Sequence, residues 1–377
     1  MTYRVVGDLI SKAKIEKCGD GNFPVLSMTM HDGIVFQGER FKKQIASVDQ
    51  SIYNIVRRDQ LVVSFPIDEG VLAIQDIADA GIVSPAYKIW DIDQSKVIPK
   101  YLELFLRSPH SIQYYKAKLR GSTARRRSIT DDDLMNMELP ILSKEEQQHV
   151  IDALNKTKGL IDSRKTELEK LDELIKARFV ELFGDPSENP YCFPEVNIST
   201  VVDGKASNGY FAKRDEYVDD GNVSVLGVAY VVNRMYSQVT DLPRTNADEK
   251  SIQKFAVKYG DMLFCRSSLV AAGIGKASIV PEEVPANTLF ECHVIRLPLD
   301  LGKCVPEYMQ TLSTMEYFRN QIIAQSKTAT MTTIGQDGIL KTSIVLPPLE
   351  NQKEFYRFVK QVDKSKVVEE KKTHRYQ

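Results

Sequence analysis

Between Ser143 and Phe183 the apolar positions recur every seven residues, at Leu154, Ile161, Leu168, Ile175 and Leu182, with Val150 and Leu171 at the companion position. That period lays one apolar seam along a helix. The stretch has no proline and a single glycine, Gly159, so it predicts one uninterrupted helix. At about 1.5 Å per residue, about 40 residues make a rod of about 60 Å. Ser143 and Glu146 have capping-box spacing at its start, and Gly184, Asp185 and Pro186 supply the stop. Thr157, Arg164 and Arg178 interrupt the companion positions, which lowers stability but disfavours wrong registers. A seam needs a partner, and Phe355, Val359 and Val362 mark a second, shorter seam between Glu350 and about Lys372. The two helices are expected to pair as an antiparallel coiled coil.

On either side of the rod the periodicity shortens to that of strands. FPVLSM, GIVFQG, QLVVSF and SPAYKIW precede a helix near Pro99 to Leu119; VSVLGVAYVV, DMLFCRSS, GKASIV and CHVIRL precede a helix near Pro306 to Ala324. The two halves match at a shift of about 205 residues. Pro99, Tyr101 and Leu102 fall on Pro306, Tyr308 and Met309, while Thr123, Ala124 and Ile129 fall on Thr328, Ala329 and Ile334. Leu139 and Pro140 are laid on Leu346 and Pro347, and Glu145 and Gln147 on Glu350 and Gln352. The expected fold is α+β: two similar domains, 1–142 and 185–346, separated by the long helices 143–184 and 347–377 in a pseudo-twofold repeat.

Composition changes this picture little. The 377 residues include 42% hydrophobic ones, enough for two filled cores, and 50 basic residues balance 51 acidic ones, so only local clusters can point to a polyanion. Five scattered cysteines without a CxxC pair fit reduced thiols, and no segment has the length and apolarity of a membrane span. The expectation is a cytoplasmic protein without a membrane partner.

Catalytic signatures fail on inspection. GIGK at residues 273–276 has Val270 where a phosphate loop needs glycine and Ala277 where it needs Ser or Thr, so it reads as a turn between strands. Asn189, Pro190 and Tyr191 approach an adenine-methyltransferase loop but lack its second proline and an upstream glycine-rich cofactor loop, so they read as a linker turn. Cys292 and His293 are neighbours on a strand, where side chains point to opposite faces, and no metal site is expected. The chain reads as a recogniser.

Lys116, Lys118, Arg120, Arg125, Arg126 and Arg127, with Ser122 and Thr123 among them, form the densest basic run. Guanidinium forks suit phosphates and guanine edges, and small hydroxyl residues admit close approach to a duplex. The corresponding loop of the other half offers Lys327, Thr328 and Thr330; Lys213, Arg214 and Arg266 are further candidates there. Each run could equally be a solvated surface.

Two variable α+β domains, each followed by an LP turn and a helix opening on E-x-Q, with the central helix ending in LFGDP, closely resemble the specificity subunits of type I restriction-modification enzymes. The resemblance covers essentially the whole chain. It implies two target-recognition domains, each reading half of an asymmetric, split DNA site, with the helices acting as a spacer and as the dock for two methyltransferase subunits, joined by restriction subunits. The seam residues Val150 to Leu182 and Phe355 to Val362 named above are the docking candidates. It also implies that S-adenosylmethionine, ATP and Mg belong to the partner subunits and that this chain is no enzyme. Two features depart from the family: the distal helix is shorter than the central one and carries Lys366 where its seam should continue, and the first loop carries an arginine triplet. Two rival readings remain: a coiled-coil adaptor between proteins, or the recognition subunit of another DNA-modification or defence system.

Overall fold

The computed structural model describes residues 2–40, 49–119 and 127–374. The chain divides into two units, Met1–Leu160 and Ile161–Gln377, and the division falls inside the helix Lys144–Phe183.

In the first unit an antiparallel sheet orders its strands Ile10–Lys12, Lys88–Ile92, Leu61–Val63 and Leu72–Ile74. Successive strand residues point to opposite faces, and both faces are apolar. Leu61, Val63, Leu72, Ile74 and Trp90 share one core with Tyr101, Leu102, Leu106 and Tyr115 of two helices. Val62, Ala73 and Ile89 share another with Leu26, Ile34, Val56 and Val83 of two flanking strand pairs.

The second unit repeats the plan. Its sheet runs Ser207–Asn208, Val294–Pro298, Asp261–Cys265, Ala277–Ile279, the same order in the same sense. Met262, Phe264, Ile295 and Leu297 join the helical core, and Leu263 and Val294 join the opposite one with Leu226, Val231 and Phe290.

The likeness extends to single hydrogen bonds. Gln147, fully buried, accepts from Ile98 N–H at 2.8 Å and donates to Leu142 O at 2.9 Å and Lys96 O at 3.4 Å. Gln352, equally buried, accepts from Val305 N–H at 2.9 Å and donates to Pro347 O at 2.8 Å and Lys303 O at 3.3 Å. Tyr101 donates to Pro140 O, and Tyr308 to Val345 O. These bonds correct the sequence alignment: Pro140 corresponds to Val345 and Leu142 to Pro347, so the two LP dipeptides are not equivalent. Leu139 and Pro140 lie within the strand Glu138–Ile141, whereas Leu346 and Pro347 follow the strand Ser343–Val345.

Two single helices were expected after the sheets, and each is broken. The first becomes Pro99–Leu106 and Pro109–Lys118, because Pro109 cannot donate into a preceding turn and Ser108 caps the new start. The second becomes Pro306–Thr314 and Glu316–Ala324; there the hydroxyls of Thr311, Ser313 and Thr314 bond back to carbonyls of the same helix.

The long helix has the expected caps. Glu146 accepts the Ser143 N–H at 2.8 Å, Ser143 Oγ accepts the Glu146 N–H at 3.2 Å, and Gly184 takes the left-handed conformation that ends it, φ 75°. Its seam is not one continuous line. Val150 packs on the first core, Leu154 is 47% exposed, Ile161 and Leu168 are half-buried, and Ile175 is buried in the second core. The reason is a change of period: Leu171, Ile175, Phe179 and Phe183 follow each other at intervals of four, the face a helix turns to a globular core. Phe179, Phe183, Tyr308 and Phe355 form a cluster with ring centroids 5.0–5.8 Å apart. The last helix, Leu349–His374, adds Phe355, Val359 and Val362 to this core, and Leu171 and Leu182 pack against it. It runs antiparallel to the end of the long helix, since Arg178 pairs with Glu354 and Lys366 with Asp172. Lys366, which interrupts the seam in sequence, is thus an inter-helix ion pair.

Phe179→Ala is expected to cost the second unit about 3–5 kcal/mol, whereas Leu154→Ala stays within about 0.5 kcal/mol. Denaturant melts of the two variants measure this difference; equal losses would contradict the division of the seam.

Buried Glu307 accepts the Tyr236 hydroxyl at 2.9 Å on one oxygen, and burial holds its carboxyl above its ordinary value of 4.5. An acid raised by folding contributes its full stability below the ordinary value and loses it as pH rises through the raised one. Glu307→Gln therefore gains on the parent protein as pH rises above 4.5, a trend that thermal midpoints across pH will show. Asp261 and Asp363 are shifted the same way by burial and are untouched by the substitution.

Candidate nucleic-acid interface

At Arg266 the chain leaves the second unit's main sheet and enters a small one, in which Ser267–Ser268 pairs with Thr332–Thr333, and that strand with Lys327–Thr328. Folding thereby joins two stretches that are far apart in sequence. Short antiparallel strands of Ser and Thr expose hydroxyls and little bulk, and Arg266 and Lys327 add two cations to them. Thr328 Oγ1 and Thr332 Oγ1 are 3.0 Å apart, and Ser267 Oγ lies 2.8 Å from His293 Nδ1. Arg266 is held from both sides: its N–H donates to His293 O at 2.8 Å, its carbonyl accepts the Ile334 N–H at 3.0 Å, and its guanidinium donates to Cys292 O at 3.3 Å.

A surface of fixed hydroxyls and cations can donate to phosphate oxygens while leaving the backbone close to the duplex. It offers no activated nucleophile. Burial raises the Cys265 thiol, and burial followed by Glu291 raises that of Cys292, so neither is a ready thiolate. Among the described residues no group of three or more His, Cys, Asp or Glu could hold a metal ion. Asn189 takes the left-handed conformation and its amide brackets Phe193, donating to its carbonyl at 2.8 Å and accepting its N–H at 3.0 Å, which makes this segment the expected turn.

The remaining candidates separate. Lys116 and Lys118 are exposed on the last turn of Pro109–Lys118, with Lys118 Nζ 6.0 Å from the Tyr114 ring. Arg120, Ser122, Thr123, Arg125 and Arg126 lie outside the described residues. Arg127 differs from the expectation for a nucleic-acid contact: its guanidinium donates to buried Asp68 at 2.5 Å and to Glu69 at 3.1 Å, so its charge is matched within the unit. Its carbonyl also accepts the Ile67 N–H, tying down the loop between the strands Leu61–Val63 and Leu72–Ile74. That loop occupies the place of Arg266–Lys276 in the second unit, but presents Phe65 in place of hydroxyls. Lys213 and Arg214 are exposed beside Asp215, Glu216, Asp219 and Asp220, outside the small sheet. Thr330 is exposed in the turn between Lys327–Thr328 and Thr332–Thr333. Of the seam residues offered for docking, Ile175, Phe355, Val359 and Val362 are consumed by the unit's own core; the long helix leaves Leu154, Leu160, Leu174 and Val180 exposed.

Sequence reasoning missed that His293 and Thr333 share one exposed surface with Ser267, with buried Thr332 pairing the strands beneath it. Their signal is a strand pairing, which no local motif encodes.

Comparison with known proteins gives concordant results. Residues 195–374 match the family model for the type I restriction modification DNA specificity domain. The chain is 23% identical over 253 residues to the type I restriction enzyme EcoKI specificity subunit of Escherichia coli K12, covering 61% of this chain and 51% of that protein. It is 23% identical over 286 residues to the StySPI specificity subunit of Salmonella potsdam, covering 71% and 58%. The matches thus span little more than half the length of these curated relatives. A solved chain from work on complex assembly and conformational transition of the type I R-M system superposes with a TM-score of 0.55 at 16% identity, covering 100% of this chain and 94% of that one, a likeness of fold.

Arg127→Ala leaves the buried Asp68 carboxylate without its cation and is expected to destabilise the first unit by about 1–3 kcal/mol. Lys116→Ala, on an exposed turn, is expected to change stability by less than about 0.5 kcal/mol. Thermal melts of the two variants check this, and equal shifts would show that Arg127 is not a structural ion pair.

Proposed function

We propose that the chain belongs to the family of type I restriction-modification specificity subunits, whose DNA specificity domain matches residues 195–374, and that it is the DNA-recognition chain of such a complex, reading a split, asymmetric duplex site. Residues 1–142 and 185–346 are the two target-recognition domains, each reading one half of the site. The observation that carries this is the pairing of one repeated scaffold with different surface chemistry at the same place: hydroxyls with Arg266 and Lys327 in the second unit, Phe65 beside an ion-paired loop in the first. Two readers of unlike half-sites need such an arrangement, because the scaffold sets the pose and the loop side chains read.

Arg266, Lys327, Thr328, Thr330 and the Ser267–Ser268 hydroxyls serve the second half-site; Lys116, Lys118, Arg120, Ser122, Thr123, Arg125 and Arg126 serve the first. Arg127 positions the first unit's loop. Two methyltransferase subunits dock along the long helix on a face that includes Leu154 and Leu160, and restriction subunits join them. S-adenosylmethionine, ATP and Mg are used in those partners, and catalysis is theirs.

The 40-residue helix Lys144–Phe183 acts in this reading as a ruler. Seven residues inserted between Lys156 and Glu173 add about 10 Å of helix, which equals about three base pairs at about 3.4 Å each. Sequencing of methylated adenines in cells carrying the lengthened chain and its partners should give the same half-sites about three base pairs further apart; unchanged spacing refutes the ruler. DNA recognition itself is tested by salt. Binding of duplex DNA by the complex should weaken steeply with added salt, as phosphate contacts require, and salt-independent binding would favour a protein adaptor.

A further inference from the structure

In the second unit the loop that follows Ser267–Ser268 presents Leu269 at 82% exposure and Val270 at 62%. Single exposed aliphatics are common, but this pair is held rigidly. Val270 N–H donates to Ser268 Oγ at 3.3 Å, Gly273 N–H to Val270 O at 3.0 Å, and Gly275 N–H to Cys265 O at 2.8 Å. From the helix Glu316–Ala324, Arg319 donates to Ala272 O at 3.2 Å and Ile274 O at 2.6 Å. A side chain at Gly273 would meet Ser268 Oγ at 2.2 Å and so displace the hydroxyl that accepts the Val270 N–H. Five hydrogen bonds therefore hold the loop that keeps these two apolar side chains in water, where hydrophobicity alone would fold them inward.

The surroundings identify what covers them. The neighbouring strands carry Ser267, Ser268, Thr328 and Thr333, with Arg266 and Lys327, and aromatic anchors of the kind that dominate protein interfaces are not part of this small sheet. An apolar tip with hydroxyl and cationic shoulders matches the major groove of DNA, where phosphates flank the one apolar group on the base edges, the thymine 5-methyl. We propose that Leu269 and Val270 are specificity-determining residues that read a thymine methyl group in the half-site of the second domain. The inference rests on the DNA-recognition reading above and names a contact within it.

The test compares the assembled complex on its mapped duplex site with duplexes in which each thymine in turn is replaced by deoxyuridine, which lacks only the methyl group. The parent complex should bind roughly fourfold more weakly when one particular thymine of one half-site is replaced, the effect of one buried methyl group. Leu269→Ala with Val270→Ala should bind the thymine and uracil forms of that position equally, while keeping the parent's preferences in the other half-site and its melting temperature. Leu269→Asn should likewise abolish the preference. If the parent shows no uracil penalty, or if the variants retain it, the inference is overturned and DNA recognition stands. If the parent complex shows no salt-dependent duplex binding, DNA recognition fails and the inference falls with it.

Discussion

A buried glutamine at the first turn of a helix organises each unit. An amide taken out of water is costly unless its donors and acceptor are satisfied, and Gln147 and Gln352 satisfy theirs on the strand-to-helix connection behind them and on the loop before their own helix. Each therefore fixes the angle of its helix's first turn against its own domain. Without that lock the small apolar footing of the long helix on the first unit, Val150 and Ile151, would leave its angle soft. The far end needs no such device, because Phe179 and Phe183 are enclosed by Tyr308 and Phe355.

The same pair of glutamines explains what was legible in the sequence. Their spacing in E-x-Q exposed the duplication, and the strand runs and the capped helix could be placed because period and capping are local properties. Whatever depends on tertiary contacts was misread or missed. Seven-residue and four-residue repeats overlap at Ile175, so the sequence predicts a continuous seam where the fold has two. The LP dipeptides match by identity, and the hydrogen bonds of Tyr101 and Tyr308 and of Gln147 and Gln352 reveal the offset of two. The helix breaks at Ser108 and Met315 follow from Pro109 and from a run of hydroxyls bonding back to their own helix.

The candidate interface was legible in pieces only. Arg266, Lys327, Thr328 and Thr330 could be named singly, but the pairing Ser268 with Thr332 that gathers them is a long-range contact. Arg127 stands in a basic triplet, and its carboxylate partners at Asp68 and Glu69 lie far upstream. Charge read along a sequence overstates what is free for a ligand, since neutralisation within the fold leaves no local trace. A duplicated scaffold with divergent loops follows from these facts: hydrogen bonds repeated in both units hold the frame, and side chains at the strand ends differ.

The central claim is that two like domains read two halves of one interrupted site. The most direct measurement is a genome-wide map of methylated adenines in cells carrying this chain with its partner subunits. The account predicts one motif made of two short defined halves separated by a gap of unspecified bases. A single continuous motif, or methylation independent of this chain, would contradict it.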